Sequence, residues 1–161
     1  MNQQRVAPHK DRAYIVSLAS ALGLAGSLIA QHVAGLEPCA LCMLQRILLL
    51  GALLSSLPMI STHAPVRWAS ILATSGFSFA GLYWAIQQFD ASTRASCGFS
   101  QTAMWIDSLG LDQHAPWFFE IRVSCAGALP QFLGLDVPMW SALTFLALIG
   151  LSWSCIPAKS R

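Results

Sequence analysis

The sequence predicts an all-α integral membrane protein, a four-helix transmembrane bundle with up-down-up-down connectivity and one long outward-facing loop between helices 3 and 4. Hydrophobic residues make up 55% of the 161 residues and charged residues only 10%, whereas soluble domains carry about 25% charged residues. Four stretches contain no Asp, Glu, Lys or Arg: residues 13–36, 47–66, 68–89 and 137–158. Each is long enough for the roughly 20 residues that cross a bilayer as a helix.

These stretches predict one membrane domain, residues 1–161, with spans at about 13–34, 41–60, 67–88 and 138–157. Unpaired backbone groups are costly in lipid, and continuous apolar stretches therefore favour helices. The connections after helices 1 and 2 are short, which makes consecutive helices antiparallel neighbours. The first stretch exceeds the apolar region of about 7–15 residues in a signal peptide, and we expect it to be retained.

The basic residues indicate the orientation, because the cytoplasmic flanks of membrane spans carry an excess of Lys and Arg. Such residues precede span 1, separate spans 2 and 3, and follow span 4: Arg5, Lys10, Arg12, Arg67, Lys159 and Arg161. Both termini are therefore expected in the cytoplasm, and the connections at about 35–40 and 89–137 on the opposite side. A connection as long as the second is uncommon without a functional role.

A Cys-x-x-Cys pair lies at the start of the second predicted helix. Pro38 lacks a backbone N–H and suits the first turn of a helix, so that we place the helix start there. Cys39 and Cys42 are then close enough to pair, and Arg46 lies four residues beyond Cys42 on the same face. Because a cation and a helix N-terminus both increase the thiolate fraction of a cysteine, the pattern favours thiol redox chemistry.

Two further cysteines, Cys97 and Cys125, lie in the long outward connection. In an oxidising compartment such a pair normally forms a disulfide, and an exposed disulfide is open to exchange with an outside thiolate. The same connection contains an aromatic group that would anchor it at the headgroups or cap the bundle, namely Trp105, Trp117, Phe118 and Phe119. Cys155, at the other end of the fourth helix, is expected only to pack.

Other interpretations are open at this point. The Cys-x-x-Cys pair is alternatively a permanent structural disulfide, and Arg46 a boundary residue whose guanidinium reaches the headgroups. Haem attachment requires a histidine where this chain has Met43, and a thioredoxin motif requires a βαβ pattern that is absent. Four thiols are enough for a zinc site, but a neighbouring arginine opposes a cation, and we rank metal binding below redox chemistry.

At these residues the sequence resembles the DsbB family of bacterial inner-membrane disulfide-forming oxidoreductases. The resemblance covers nearly the whole chain and includes Gln31-His32-Val33, Pro38-Cys39-x-x-Cys42 with Arg46, both loop cysteines, Phe132-Leu133-Gly134-Leu135 and Pro138-x-Trp140. Some members carry a histidine near the outer end of the third helix. This chain has Gln87 and Gln88 there, and we assign no proton-handling role to that region.

The resemblance implies a relay from a periplasmic DsbA-like thioredoxin-fold oxidase to a membrane quinone. A thiolate of the reduced partner would attack Cys97, and Cys125 would carry the exchange to Cys39. Cys42 would then donate to the quinone. The implied redox-active disulfides are Cys39–Cys42 and Cys97–Cys125. Since DsbA is itself a strong oxidant, its reoxidation requires a strong electron acceptor.

The implied cofactor is ubiquinone or menaquinone, without a metal. By the same resemblance, Arg46 stabilises the Cys42 thiolate and the bound quinone ring, and Gln31 and His32 are candidate neighbours of the quinone. The resemblance thus implies a multi-pass protein of the bacterial inner membrane with its active cysteines on the periplasmic side.

Overall fold

The structure, a computed structural model, describes residues 8–94, 104, 108, 110, 115–119 and 131–156. Its elements are α1 (Pro8–His32), α2 (Ala40–Ser56), a 3₁₀ turn (Leu57–Ile60), α3 (Ala64–Arg94), the short α4 (Pro116–Phe119), β1 (Gln131–Phe132), β2 (Leu135–Asp136) and α5 (Val137–Ser154). Four of the helices, α1, α2, α3 and α5, are long and apolar enough to cross a membrane. The predicted all-α, four-helix membrane fold is therefore confirmed.

The four long helices pack as a square. α1 and α3 each contact both α2 and α5, and the contacts of α3 are the more extensive. The core between them is formed by buried apolar side chains from every corner, among them Val16, Leu49, Ile71, Phe145 and Leu148. Large apolar side chains are also exposed around the outside of the bundle, which is favourable where the surrounding solvent is lipid. They include Leu18, Leu54, Leu72 and Leu146.

Hydroxyl pairs join the helices away from the site. Ser17 Oγ on α1 and Ser56 Oγ on α2 are 2.8 Å apart, and Ser55 Oγ and Thr74 Oγ1 connect α2 to α3 at 3.0 Å. Hydrogen bonds of this kind link helices where lipid provides no hydrophobic driving force between them. They fix α2 relative to both of its neighbours and so position the residues at its N-terminus.

The start of α2 differs from the prediction. Cys39, rather than Pro38, precedes the first helical residue; its backbone is extended (φ −95°, ψ 170°), and its carbonyl oxygen accepts the first helical hydrogen bond, from Met43 N at 3.1 Å. Pro38 therefore lies outside the helix, which begins at Ala40. Cys39 is the N-cap residue and Cys42 lies in the first turn.

Two turns at the end of the bundle where α1 ends and α2 begins have left-handed backbone. Gly35 (φ 64°) lies between α1 and α2, and Leu133 (φ 53°) and Gly134 (φ 80°) join β1 to β2. A two-residue hairpin turn of this kind needs positive φ at both positions, which glycine adopts readily. Trp140 Nε1 donates to the Phe132 carbonyl at 2.9 Å and holds the hairpin against α5. These strands are not predicted from the sequence, because two residues are too few for an alternating pattern.

α3 and α5 approach each other where Gly81 faces Phe145. A Cβ at position 81 would overlap the Phe145 ring, which is fully buried. A Cβ at Gly76, on the same helix, would meet nothing within 4 Å. The close contact between these helices therefore depends on the absence of a side chain at Gly81.

We expect Gly81→Ala to destabilise the protein by about 1–3 kcal/mol, the usual cost of overpacking a core, because Phe145 must move. The matched control Gly76→Ala should leave stability unchanged or raise it by up to about 1 kcal/mol, since alanine favours helix over glycine. Unfolding in mixed detergent, followed by circular dichroism, measures both variants. Equal stabilities would contradict the close contact.

Candidate functional site

The site contains two sulfur atoms at the N-terminus of α2. Cys39 Sγ and Cys42 Sγ are 3.1 Å apart. Cys39 is disulfide-bonded, whereas Cys42 and Cys155 are free thiols. The bonding partner of Cys39 therefore lies outside the described residues. A free thiol is thus in contact with a disulfide sulfur to which it is not bonded.

The disulfide implied between Cys39 and Cys42 is accordingly not the bond present in this structure, because Cys39 already uses its sulfur in another disulfide. It stays a prediction for a second state of the same sulfurs, which exchange at Cys39 would produce. Cys97 and Cys125, with the disulfide implied between them, lie outside the described residues.

Two buried amides contact the sulfur pair from the interior of the bundle. Gln88 Nε2 on α3 donates to Cys42 Sγ at 3.2 Å and to Cys39 Sγ at 3.5 Å. Gln45 Nε2 on α2 donates to Gln88 Oε1 at 2.8 Å. Neither glutamine was among the predicted site residues, and Gln88 was noted only in the region where some family members carry a histidine. The spacing of Gln45 from Cys42 was available as a signal, but only the packing of α3 on α2 brings Gln88 to the sulfurs.

Arg46 is buried, with 5% of its surface exposed. Its guanidinium donates to Gln31 Oε1 (2.5 Å) and to the carbonyl oxygens of Ser27 (2.9 Å) and Phe118 (3.1 Å). The Phe118 ring lies beneath the guanidinium, with its centroid 6.0 Å away. This burial and these partners are inconsistent with a side chain that reaches out to the headgroups.

A pocket opens between α1, α2 and the start of α5, beside Cys42. Its apolar lining residues are Ala30, Leu36, Pro38, Leu49 and Val137, and its polar lining residues are Ser27, Gln31, Glu37, Gln45, Arg46 and Ser141. Apolar walls with a few hydrogen-bonding groups are typical of sites for small organic ligands. The arrangement places a free thiol, a permanent cation and an apolar wall around one space.

Of the three predicted quinone neighbours, two line the pocket and the third does not. Arg46 and Gln31 line the pocket and bond to each other. His32 is exposed, and its Nε2 lies 3.0 Å from the carbonyl oxygen of Trp117. His32 therefore contacts α4 and is not among the residues that line the pocket.

α4 covers the site from outside. Phe118 is buried in the hydrophobic core cluster, while Trp117 is 60% exposed. Of the two roles expected for the aromatic group, Phe118 thus caps the bundle, and the exposed indole of Trp117 is free to contact the headgroup layer. Trp105 lies outside the described residues.

The remaining cysteine and the metal alternative lie apart from this arrangement. Cys155 is 2% exposed and packs in the core cluster at the opposite end of the bundle. Within the part of the chain that the structure describes, no three His, Cys, Asp or Glu side chains form a group able to hold a metal ion. Two of the four thiols of the zinc alternative lie outside that part.

A four-helix membrane bundle that holds a free thiol against a disulfide sulfur belongs to the class of membrane proteins that exchange disulfides. The family model described as "Disulfide bond formation protein DsbB" matches residues 10–155. The chain belongs to the DsbB family, and it is therefore a disulfide-forming oxidoreductase.

Individual relatives agree with this assignment, and all three below carry the name "Disulfide bond formation protein B". The protein of Ralstonia nicotianae is 33% identical over 143 residues, which cover 86% of this chain and 89% of the relative. That of Aeromonas hydrophila is 35% identical over 152 residues, with coverages of 88% and 84%. That of Vibrio cholerae is 36% identical over 126 residues, with coverages of 73% and 70%.

The geometry predicts that Arg46 holds α4 in place. Arg46→Met removes a charge-assisted hydrogen bond to the Phe118 carbonyl, a contribution of about 1.5–3 kcal/mol, and we expect chymotryptic cleavage within α4 to accelerate at least tenfold. His32→Ala removes only the contact to Trp117 and should accelerate cleavage less. Limited proteolysis in detergent with mass spectrometry measures both rates.

Glu37→Gln is the control for this experiment, because Glu37 lines the same pocket without a described bond to α4. It should be cleaved at the rate of the unmodified protein. Equal cleavage of all the variants would mean that α4 is held by Phe118 packing alone.

Proposed function

We propose that this protein reoxidises a periplasmic DsbA-like thiol oxidase and passes the electrons through its two cysteine pairs to a quinone in the bacterial inner membrane. The observation that carries the proposal is the 3.1 Å contact between the free thiol of Cys42 and the disulfide-bonded sulfur of Cys39. It brings together both reactants of a thiol–disulfide exchange. The pocket beside Cys42 offers a place for the final acceptor.

The exchange begins at the loop pair in this proposal. A thiolate of the reduced partner attacks Cys97 in the Cys97–Cys125 disulfide, and Cys125 leaves with the electron pair. Cys125 Sγ then attacks Cys39 in the Cys39–Cys42 disulfide. The new bond joins Cys125 to Cys39, and the electron pair of the broken bond leaves on Cys42. The partner is at this stage bonded to Cys97, and its second thiolate displaces Cys97 and completes the partner's disulfide. The Cys97 thiolate then displaces Cys39 from Cys125, which restores the loop disulfide and leaves Cys39 and Cys42 reduced.

The observed sulfur arrangement matches the product of that second attack. Cys39 is bonded to a sulfur other than that of Cys42, and Cys42 is free at contact distance. The number of disulfides does not change in the attack, because one bond forms as one breaks. Return of Cys42 to Cys39 is the reverse exchange, and the 3.1 Å separation requires little movement for it.

The pocket suits a quinone. Its aliphatic walls match the faces of an apolar ring, and Arg46 and Gln31, which line the same pocket, would supply hydrogen-bond donors to the ring oxygens. When bound, the quinone supplies an acceptor for two electrons and two protons for each disulfide formed. Arg46, one turn from Cys42 on α2, keeps a permanent positive charge beside the thiolate that the opened disulfide leaves behind.

The proposed orientation places both termini in the cytoplasm and the sulfur pair on the periplasmic side. Arg12 donates to the Ser154 carbonyl oxygen, so that the start of α1 and the end of α5 lie together. The sulfur pair lies at the other end of α1, and the excess of basic residues at the first end supports this orientation.

The central test mixes purified protein with a reduced DsbA-like partner and a short-chain quinone. We expect one partner disulfide for each quinol formed, measured by thiol titration and quinone absorbance. Cys42→Ser should abolish turnover, and the matched control Cys155→Ala should retain it, because Cys155 lies at the other end of the bundle. Absence of quinone reduction, or reduction independent of partner thiols, would contradict the proposal.

The same assay tests Arg46. Arg46→Lys keeps the charge but loses the planar fork, and should keep partial activity with a weaker apparent quinone affinity. Arg46→Met should slow quinone reduction by roughly 10- to 100-fold, the loss expected for one hydrogen bond to a charged group. The rate of exchange between the partner and Cys97 should change little. An unchanged quinone-reduction rate in Arg46→Met would limit Arg46 to its structural contacts.

The order of exchange is tested by removing one loop cysteine at a time. Cys97→Ser leaves Cys125 without its loop partner, and we expect a Cys39–Cys125 disulfide with Cys42 free, as Cys42 is in this structure. In Cys125→Ser, Cys39 should pair with Cys42 instead. Non-reducing peptide mapping by mass spectrometry identifies the bonds. A Cys39–Cys97 disulfide in Cys125→Ser would reverse the assigned order.

A further inference from the structure

We propose that Gln88 is a catalytic residue of the sulfur exchange and that Gln45 positions it. In this inference, which rests on the proposed function, the side-chain amide of Gln88 bridges the two sulfurs and stabilises the negative charge on Cys42 whenever the exchange leaves the electron pair there. Gln45 fixes which end of that amide faces the sulfurs.

The geometry supports a bridge. Gln88 Nε2 lies 3.2 Å from Cys42 Sγ and 3.5 Å from Cys39 Sγ, and a primary amide has two N–H groups to donate. The sulfurs themselves are 3.1 Å apart. One amide nitrogen therefore reaches both atoms between which a disulfide forms and breaks.

Gln45 explains why the nitrogen of Gln88 faces the sulfurs. A glutamine side chain can present either its oxygen or its NH₂ group to a neighbour. Gln45 Nε2 donates to Gln88 Oε1 at 2.8 Å, which holds the oxygen away from the sulfurs. Rotation of the Gln88 amide would place its oxygen against two sulfurs and its NH₂ group against another NH₂ group.

Burial makes the bridge effective. Gln88 is 2% exposed and Gln45 3% exposed, so that little water competes for their hydrogen bonds. A hydrogen bond is electrostatically stronger in such surroundings than in water, and donors bind an anionic acceptor more strongly than a neutral one. A negatively charged Cys42 sulfur would therefore accept a stronger hydrogen bond from the Gln88 amide than a neutral one, and the amide carries no charge of its own.

In the exchange that Gln88 would assist, one sulfur–sulfur bond forms as another breaks, and no other oxidant or reductant is needed. When Cys42 thiolate attacks Cys39, the Cys42–Cys39 bond forms, and the bond between Cys39 and its other partner breaks. The electron pair leaves on the sulfur that was bonded to Cys39, and this sulfur takes up a proton. In the reverse step the electron pair returns to Cys42. Since the Gln88 NH₂ group reaches both Cys39 and Cys42, it keeps a hydrogen bond to at least one of these sulfurs during the whole exchange.

The experiment measures thiolate formation without quinone or partner. Full-length protein is reduced, desalted and alkylated with iodoacetamide, and peptide mass spectrometry follows modification at Cys42. The quantity compared is the rate at neutral pH divided by the limiting rate at high pH, because this ratio reports the thiolate fraction and not access. Gln88→Leu removes the donors, and Gln88→Met removes them while keeping a long flexible side chain.

We expect the ratio to fall about tenfold in both Gln88 variants, the effect of one hydrogen bond to a charged group. The matched control Gln87→Leu changes the neighbouring glutamine and should keep the ratio of the unmodified protein. Gln45→Leu should lower the ratio less than Gln88→Leu. The double variant should equal Gln88→Leu alone, because Gln45 acts through Gln88.

An unchanged ratio in Gln88→Met, in protein that keeps its helical circular dichroism, would overturn the proposal. So would a fall of the same size in Gln87→Leu. Additive effects of the Gln45 and Gln88 changes would overturn the positioning role of Gln45. Because the measurement contains neither quinone nor partner, its outcome is separate from that of the quinone-reduction assay.

Discussion

The rest of the site depends on the contact between Cys39 Sγ and Cys42 Sγ. This contact exists because the chain is extended at Cys39 and helical from Ala40, so that the two sulfurs meet at 3.1 Å at the end of one helix. A thiolate formed there lies near the positive end of the helix dipole and near a permanent cation. The other elements keep these atoms in place and limit their contact with water.

Arg46 connects that chemistry to the fold. A buried guanidinium is costly unless its donors are bonded, and here the three acceptors come from two parts of the chain: Gln31 and Ser27 on α1 and Phe118 on α4. The same side chain that faces the pocket therefore joins α1, α2 and α4. Arg46 therefore has a structural role, in joining these helices, as well as its proposed role beside the thiolate.

Some of the buried polar side chains among the described residues form hydrogen bonds from one helix to another. The hydroxyl pairs link α1, α2 and α3, and the amides of Gln45 and Gln88 bond to each other before they reach sulfur. Polar groups within a membrane are costly and often functional. The bonds between helices divide into hydroxyl pairs that fix helix positions and a group around the sulfurs at the N-terminus of α2, and the proposed exchange chemistry involves only that second group.

The sequence by itself determined that four helices span the membrane, and it predicted a site at the Cys39–Cys42 pair with Arg46, because apolar length and residue spacing along one helix are local properties. It placed the start of α2 at Pro38, since proline preference alone does not show which carbonyl accepts the first helical bond. Only the tertiary structure decided that Arg46 is buried under α4, that His32 lies against Trp117 and that Gln88 reaches the sulfurs. Each of these contacts joins residues far apart in the chain, and only helix packing brings them within bonding distance.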